Sequence, residues 1–160
     1  MNTSKYSADD LQPYKAIPHI RKCWEMFFHV DGIDSPSDLL GRLAQDPRLL
    51  GGDEVSAIRF NDWYVVHSSC DWIPDEMCAG SVVANDALTM VTPFSAGTVD
   101  SLHYITYVSA LATNLISIAG DLKRVEVGAV PKNDSIWTIT RPTGTARTVA
   151  YTIDERKYWG

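Results

Sequence analysis

The stretch Ser56–Pro74, SAIRFNDWYVVHSSCDWIP, decides the fold. Its apolar positions alternate with period two up to Phe60, it meets Asn61-Asp62, and it alternates again from Trp63 to His67, the pattern of two antiparallel strands joined by a two-residue turn. Such a turn pairs Phe60 with Trp63, Ile58 with Val65 and Ser56 with His67 on one side of the ribbon. Arg59, Tyr64 and Val66 take the other side. Both sides are partly apolar, so the hairpin is expected inside a larger sheet rather than at its edge. The face of Ile58, Phe60, Trp63 and Val65 needs a cover, and the helix bearing Trp24 and Phe28 is the nearest candidate.

Upstream of the hairpin the period changes. Ile20, Cys23, Trp24, Phe27 and Phe28 fall at i, i+3, i+4, i+7 and i+8, which predicts an amphipathic helix after Pro18. Asp31-Gly32 ends it, and Ser35-Pro36-Ser37-Asp38 reads as a cap, a proline at the first helical position and an acidic residue at the third. A second helix follows, with Leu39, Leu40, Leu43 and Ala44 inward, until Asp46-Pro47 stops it.

Downstream, SVVANDALTMV is expected to form a second hairpin turning at Asn85-Asp86. Residues 99–119 contain no Asp, Glu, Lys or Arg apart from Asp100, and their apolar stripe predicts one long uncharged helix capped by Thr98 and closed by Gly120. Such a helix is either buried in its own chain or covered by a second copy, so a homo-oligomer through 99–119 is possible. Three further strands are expected in KRVEVGAV, SIWTITR and ARTVAYTI, the last two joined at Pro142-Thr143-Gly144. Tyr158 and Trp159 are expected to dock on the body. The sum is an α+β fold in a single domain, 1–160: N-terminal helices, central antiparallel hairpins, a long helix and a C-terminal three-stranded antiparallel segment.

At 160 residues, with 45% hydrophobic and 21% charged residues, the chain can hold a full core. A net charge of −6 without any cluster of Lys and Arg argues against nucleic-acid and anionic-membrane binding. It permits solubility, steering toward a partner with a basic surface, or nothing specific. Three cysteines, Cys23, Cys70 and Cys78, fit reduced thiols in the cytoplasm, and the polar opening MNTSKYSADDLQ is unlike a secretory leader.

Reactive side chains are densest in HSSCDWIPDEMC, His67 to Cys78. Two cysteines eight positions apart with a single histidine lack a short chelate, so no metal is expected, and no cofactor fingerprint is present. His67 with Cys70, completed by His103, is the catalytic alternative, yet residues so close on one strand seldom aim at each other. DWIPDEM instead has an interface composition: Trp72 and Ile73 as an anchor, framed by Asp71, Asp75 and Glu76. The competing reading is that Trp72 plugs the end of the core. The expectation is a small acidic protein-binding module that masks a basic partner, of the immunity-protein, antitoxin or inhibitor type, rather than an enzyme. The alternative is a small enzyme or small-molecule binder around His67, Cys70 and His103.

Overall fold

Asn61 adopts a left-handed backbone (φ 53°), a conformation its short polar side chain tolerates, and the chain reverses there. In the computed structural model, which describes residues 16–73 and 104–160, this turn joins β1 (Val55–Phe60) to β2 (Trp63–Ser68). Their register is Phe60 opposite Trp63, Ile58 opposite Val65 and Ser56 opposite His67, as the alternation requires. Three more strands complete a five-stranded antiparallel sheet: β3 (Asn114–Ala119), β4 (Leu122–Val127) and β5 (Arg147–Thr152). The spatial order is β1-β2-β5-β3-β4, so the last strand in sequence lies in the middle. Among the described residues β2 is interior and β1 is an edge, which corrects the expectation that the whole hairpin is interior.

Helices cover one face of the sheet. They are α1 (Ala16–Asp31), α2 (Pro36–Leu43), α3 (Gln45–Leu49), α4 (Tyr104–Leu111) and α5 (Glu155–Trp159). Gly32 follows α1 in the left-handed conformation (φ +62°), and Ser35 caps α2 by accepting from the Asp38 N–H, both as the sequence indicates. Asp46-Pro47 is not a stop. Pro47 sits in the first turn of α3, where its missing N–H costs nothing, and the Asp46 carboxylate accepts the N–H groups of Tyr104 (3.3 Å) and Ile105 (3.0 Å) at the start of α4. Trp24 and Phe28 of α1 meet Tyr158 edge-on or tilted, and Trp159 stacks on Phe28, so the aromatic tail docks on the helical layer.

The helical layer rests on Tyr64, Val66, Leu115, Val149 and Tyr151. Trp63 and Val65 point the other way. They pack with Ile116, Ile118 and Ala150 beneath the segment that carries Val130, Ile136, Trp137 and Ile139. The cover of the Phe60–Trp63–Val65 face is therefore this loop, not the helix bearing Trp24 and Phe28. Alternation assigns residues to two faces but does not say which element lies over which face.

Two C-terminal expectations also change. The uncharged run is α4 followed by β3, and Gly120 (φ +57°) belongs to the β3–β4 turn rather than to a helix end. β3 is flanked by β5 and β4, and Leu115 to Ile118 are all buried, so neither a period of two nor one of 3.6 is imposed on its apolar residues. Ile105 to Leu111 are buried in this chain, so this part of the uncharged run leaves no free face for a second copy. SIWTITR is a 3₁₀ turn, Ser135–Thr138, started by Asp134, whose side chain accepts the Ile136 N–H. The Pro142-Thr143-Gly144 turn forms, but β5 pairs with β2 and β3, so the C-terminal strands belong to the five-stranded sheet rather than to a separate three-stranded unit. The expected hairpin at Asn85-Asp86 and positions 98–103 lie outside the described residues. No helix among the described residues is long and apolar enough to cross a membrane.

Candidate functional site

His67 is the last loop-facing residue of β2 before the chain leaves the sheet, and it is only 2% exposed. Its Nδ1 lies 2.8 Å from Thr148 Oγ1 on the neighbouring β5, while its Nε2 is buried with no hydrogen-bond partner. Burial, and then the positive charge of Arg141, push its pKa below the usual histidine value, so the ring is neutral at neutral pH. Arg141 Nη1 is likewise buried without a partner.

Cys70 turns to the opposite face. Its Sγ lies 3.4 Å from Ser68 Oγ and 3.5 Å from the Pro47 carbonyl oxygen, under α3. Alternation along β2 sends His67 and Ser68 to opposite sides of the sheet, and Cys70 follows Ser68, so His67 and Cys70 are not brought together. His103 lies outside the described residues.

Asp71, Trp72 and Ile73 are tied into the body. Arg147 at the start of β5, 8% exposed, donates through Nε and Nη2 to the two Asp71 carboxylate oxygens at 2.8 and 2.9 Å, and through Nη2 to the Ile73 carbonyl at 3.0 Å. This two-point pair fixes the exit of the chain from β2. Trp72 is 3% exposed and belongs to the helix-side core, the position of a plug rather than of a surface anchor. Asp75 and Glu76 lie outside the described residues.

Beside His67, a cleft of about 250 Å³ opens at this end of the sheet. Asp53, Glu54, Ser56, His67 and Ser69 line it, together with the turn Pro142–Thr145. Asp53 and Glu54 are exposed, and among the described residues neither carboxylate forms an ion pair. They are held at the mouth by local structure: the Glu54 N–H donates to Ser69 Oγ (3.1 Å) and the Ser69 N–H donates to the Glu54 carbonyl (2.9 Å). Gly52 lets the backbone turn in there, because a Cβ would stand 2.9 Å from both the Pro47 carbonyl oxygen and Ser68 Oγ. Asp53 and Glu54 are absent from the sequence-based candidates. Their signal is two adjacent carboxylates placed directly between a Gly-Gly break and a strand.

Among the described residues no group of three His, Cys, Asp or Glu could hold a metal ion. Compared with known proteins, the chain matches no family model and no curated sequence.

Proposed function

We propose that the protein is a small acidic binding module that masks the basic surface of a partner protein, in the manner of immunity proteins, antitoxins and inhibitors. The observation that carries this reading is the pair Asp53 and Glu54, exposed side by side at the mouth of a cleft without an ion pair among the described residues. Asp71, in contrast, is engaged by Arg147, so the working acidic edge is better placed on Asp53 and Glu54 than on Asp71. Carboxylates at a rim act chiefly on the rate of encounter with a positively charged surface. Net charge −6 adds steering of the same sign.

The test is capture from native lysate of the source cells, followed by association kinetics with the retained protein. A stoichiometric basic protein is expected, and changing Asp53 and Glu54 to Lys slows its association about tenfold or more at low salt, with the effect shrinking as salt rises. Asp71→Lys is a poor probe because it also strands Arg147. Absence of a basic protein, or association unchanged by the double reversal, rejects the reading.

A second reading, a small enzyme or small-molecule binder with its site at the cleft beside His67, without Cys70, which turns to the opposite face, is supported by the buried, unpartnered Nε2 of His67. On this reading His67→Gln abolishes turnover or ligand binding with little change in melting temperature. A large fall in melting temperature with no functional loss identifies His67 as structural.

A further inference from the structure

Among the described residues, the outer edge of β1 is open in a way that the other edge of the sheet is not. The two-residue turn makes Phe60 and Trp63 a hydrogen-bonded pair, and the Ser69 N–H to Glu54 carbonyl bond keeps the same parity at the far end. Glu54, Ser56, Ile58 and Phe60 therefore bond inward to β2, while the N–H and C=O groups of Val55, Ala57 and Arg59 point outward. Nothing among the described residues pairs with them.

Natural sheets blunt such edges with charge, proline or bulges. β4, the opposite edge, has these devices: Lys123, Arg124 and Glu126 fill half of its six positions, and the register slips between Leu115 and Ile116. β1 has no proline, its one charged residue is Arg59, and that side chain is folded down onto the helical face. It donates to Glu155 (3.1 Å) and to the Asn61 carbonyl (3.3 Å), with its guanidinium 5.0 Å from the Tyr64 ring centre. Ile58 is left 40% exposed on the opposite face.

The edge and the acidic cleft are continuous, since Asp53, Glu54, Val55 and Ser56 line the cleft at the point where β1 begins. A strand added beside β1 sends the side chain nearest Ser56 to the same face as Ser56 and His67, over the cleft. His67 also lines the cleft; its Nδ1 is taken by Thr148 Oγ1, and its Nε2 is buried without a partner. The exposed carboxylates of Asp53 and Glu54 at the mouth and the hydroxyls of Ser56 and Ser69 match an ammonium or guanidinium group.

We propose that an extended, lysine- or arginine-bearing segment of the partner adds as a sixth strand along β1, bonding to the main chain of Val55, Ala57 and Arg59 and placing a basic side chain in the cleft. This rests on the masking reading and specifies its mode: main-chain pairing supplies affinity, and the cleft supplies selectivity.

The probe is an alternating Lys–Val heptapeptide, with its Glu–Val counterpart as control, followed by amide hydrogen exchange in the full-length protein. The expected result is at least tenfold slower exchange at Val55, Ala57 and Arg59 with the Lys–Val peptide and not with the control. Ala57→Pro removes an outward N–H that β2 does not use, so it lowers peptide affinity at least tenfold while the melting temperature stays within a few degrees. Should that variant fail to fold, the amide protection in the native chain still decides. No protection at these three amides, equal protection by the Glu–Val peptide, or a dimer in sedimentation that already protects them overturns the proposal. The two readings fail separately. A captured basic protein that binds Ala57→Pro as well as the native chain rejects the added strand and keeps masking. Peptide protection without any basic protein partner rejects masking and keeps strand addition.

Discussion

Asp46 is fully buried, and its carboxylate holds the first two N–H groups of α4. Burial raises its pKa from 3.8 to about 7, against the lowering effect of the Ile105 and Tyr104 hydrogen bonds. The unfolded chain releases this proton near the ordinary value while the native state retains it, so this contribution to stability is full below pH 3.8 and is lost as pH rises toward about 7. Asp46→Asn removes the titration. The stability difference between native protein and variant should therefore change by up to about 1.4 kcal/mol per pH unit over that window and level off above it. Parallel pH profiles in chemical denaturation would show that Asp46 does not titrate there. The bonding role of this residue is not legible in the sequence, because Asp-Pro reads locally as a stop while its partners lie 58 and 59 positions away. The same is true of Asp71, which reads as part of an acidic interface frame until β5 brings Arg147 to it from 76 positions on.

The segment 130–139 acts as the second cover of the sheet. Ile136 is fully buried against Trp63, Val65, Ile116, Ile118 and Ala150. Ile136→Ala and Trp63→Ala should each cost about 2–5 kcal/mol in chemical denaturation, and as neighbours their losses should fall short of additive. A loss below about 1 kcal/mol for either would mean that this face is not a core. The hairpin was legible because turn chemistry and alternation are local and agree. Its cover was not, because a 3₁₀ turn held by Asp134 and a Trp137 Nε1–Pro131 carbonyl bond has no periodic signature. β3 failed for the opposite reason: apolar residues dense enough for burial on both faces satisfy a helix and a strand alike, though β-branched Ile116 and Ile118 lean toward the strand. In the candidate site, His67 and its neighbours were found from residue type. Asp53 and Glu54 gain their meaning only from the turn Pro142–Thr145, which closes the cleft over them from far along the chain.

Across the molecule, the two outer hairpins are sequence-local, whereas β5 reaches both of them over long separations, pairing Val149 with Val66 on one side and Ser117 on the other. Its amides are interior to the sheet, with helices on one face and the 130–139 loop on the other. Exchange at Val149, Ala150 and Tyr151 should thus require global opening, and its free energy should equal the unfolding free energy from denaturant titration. Faster exchange there than in β2 would place the cooperative unit in the hairpin alone. Long-range closure also marks the assembly of the sheet as its slow event. A strand that enters between two ready-made hairpins leaves, when it is cut away, a slot with both walls already formed. The chain ending before Arg147 and a peptide carrying β5 and α5 are then two halves of a complementation pair, able to report by their reunion whether the slot is intact.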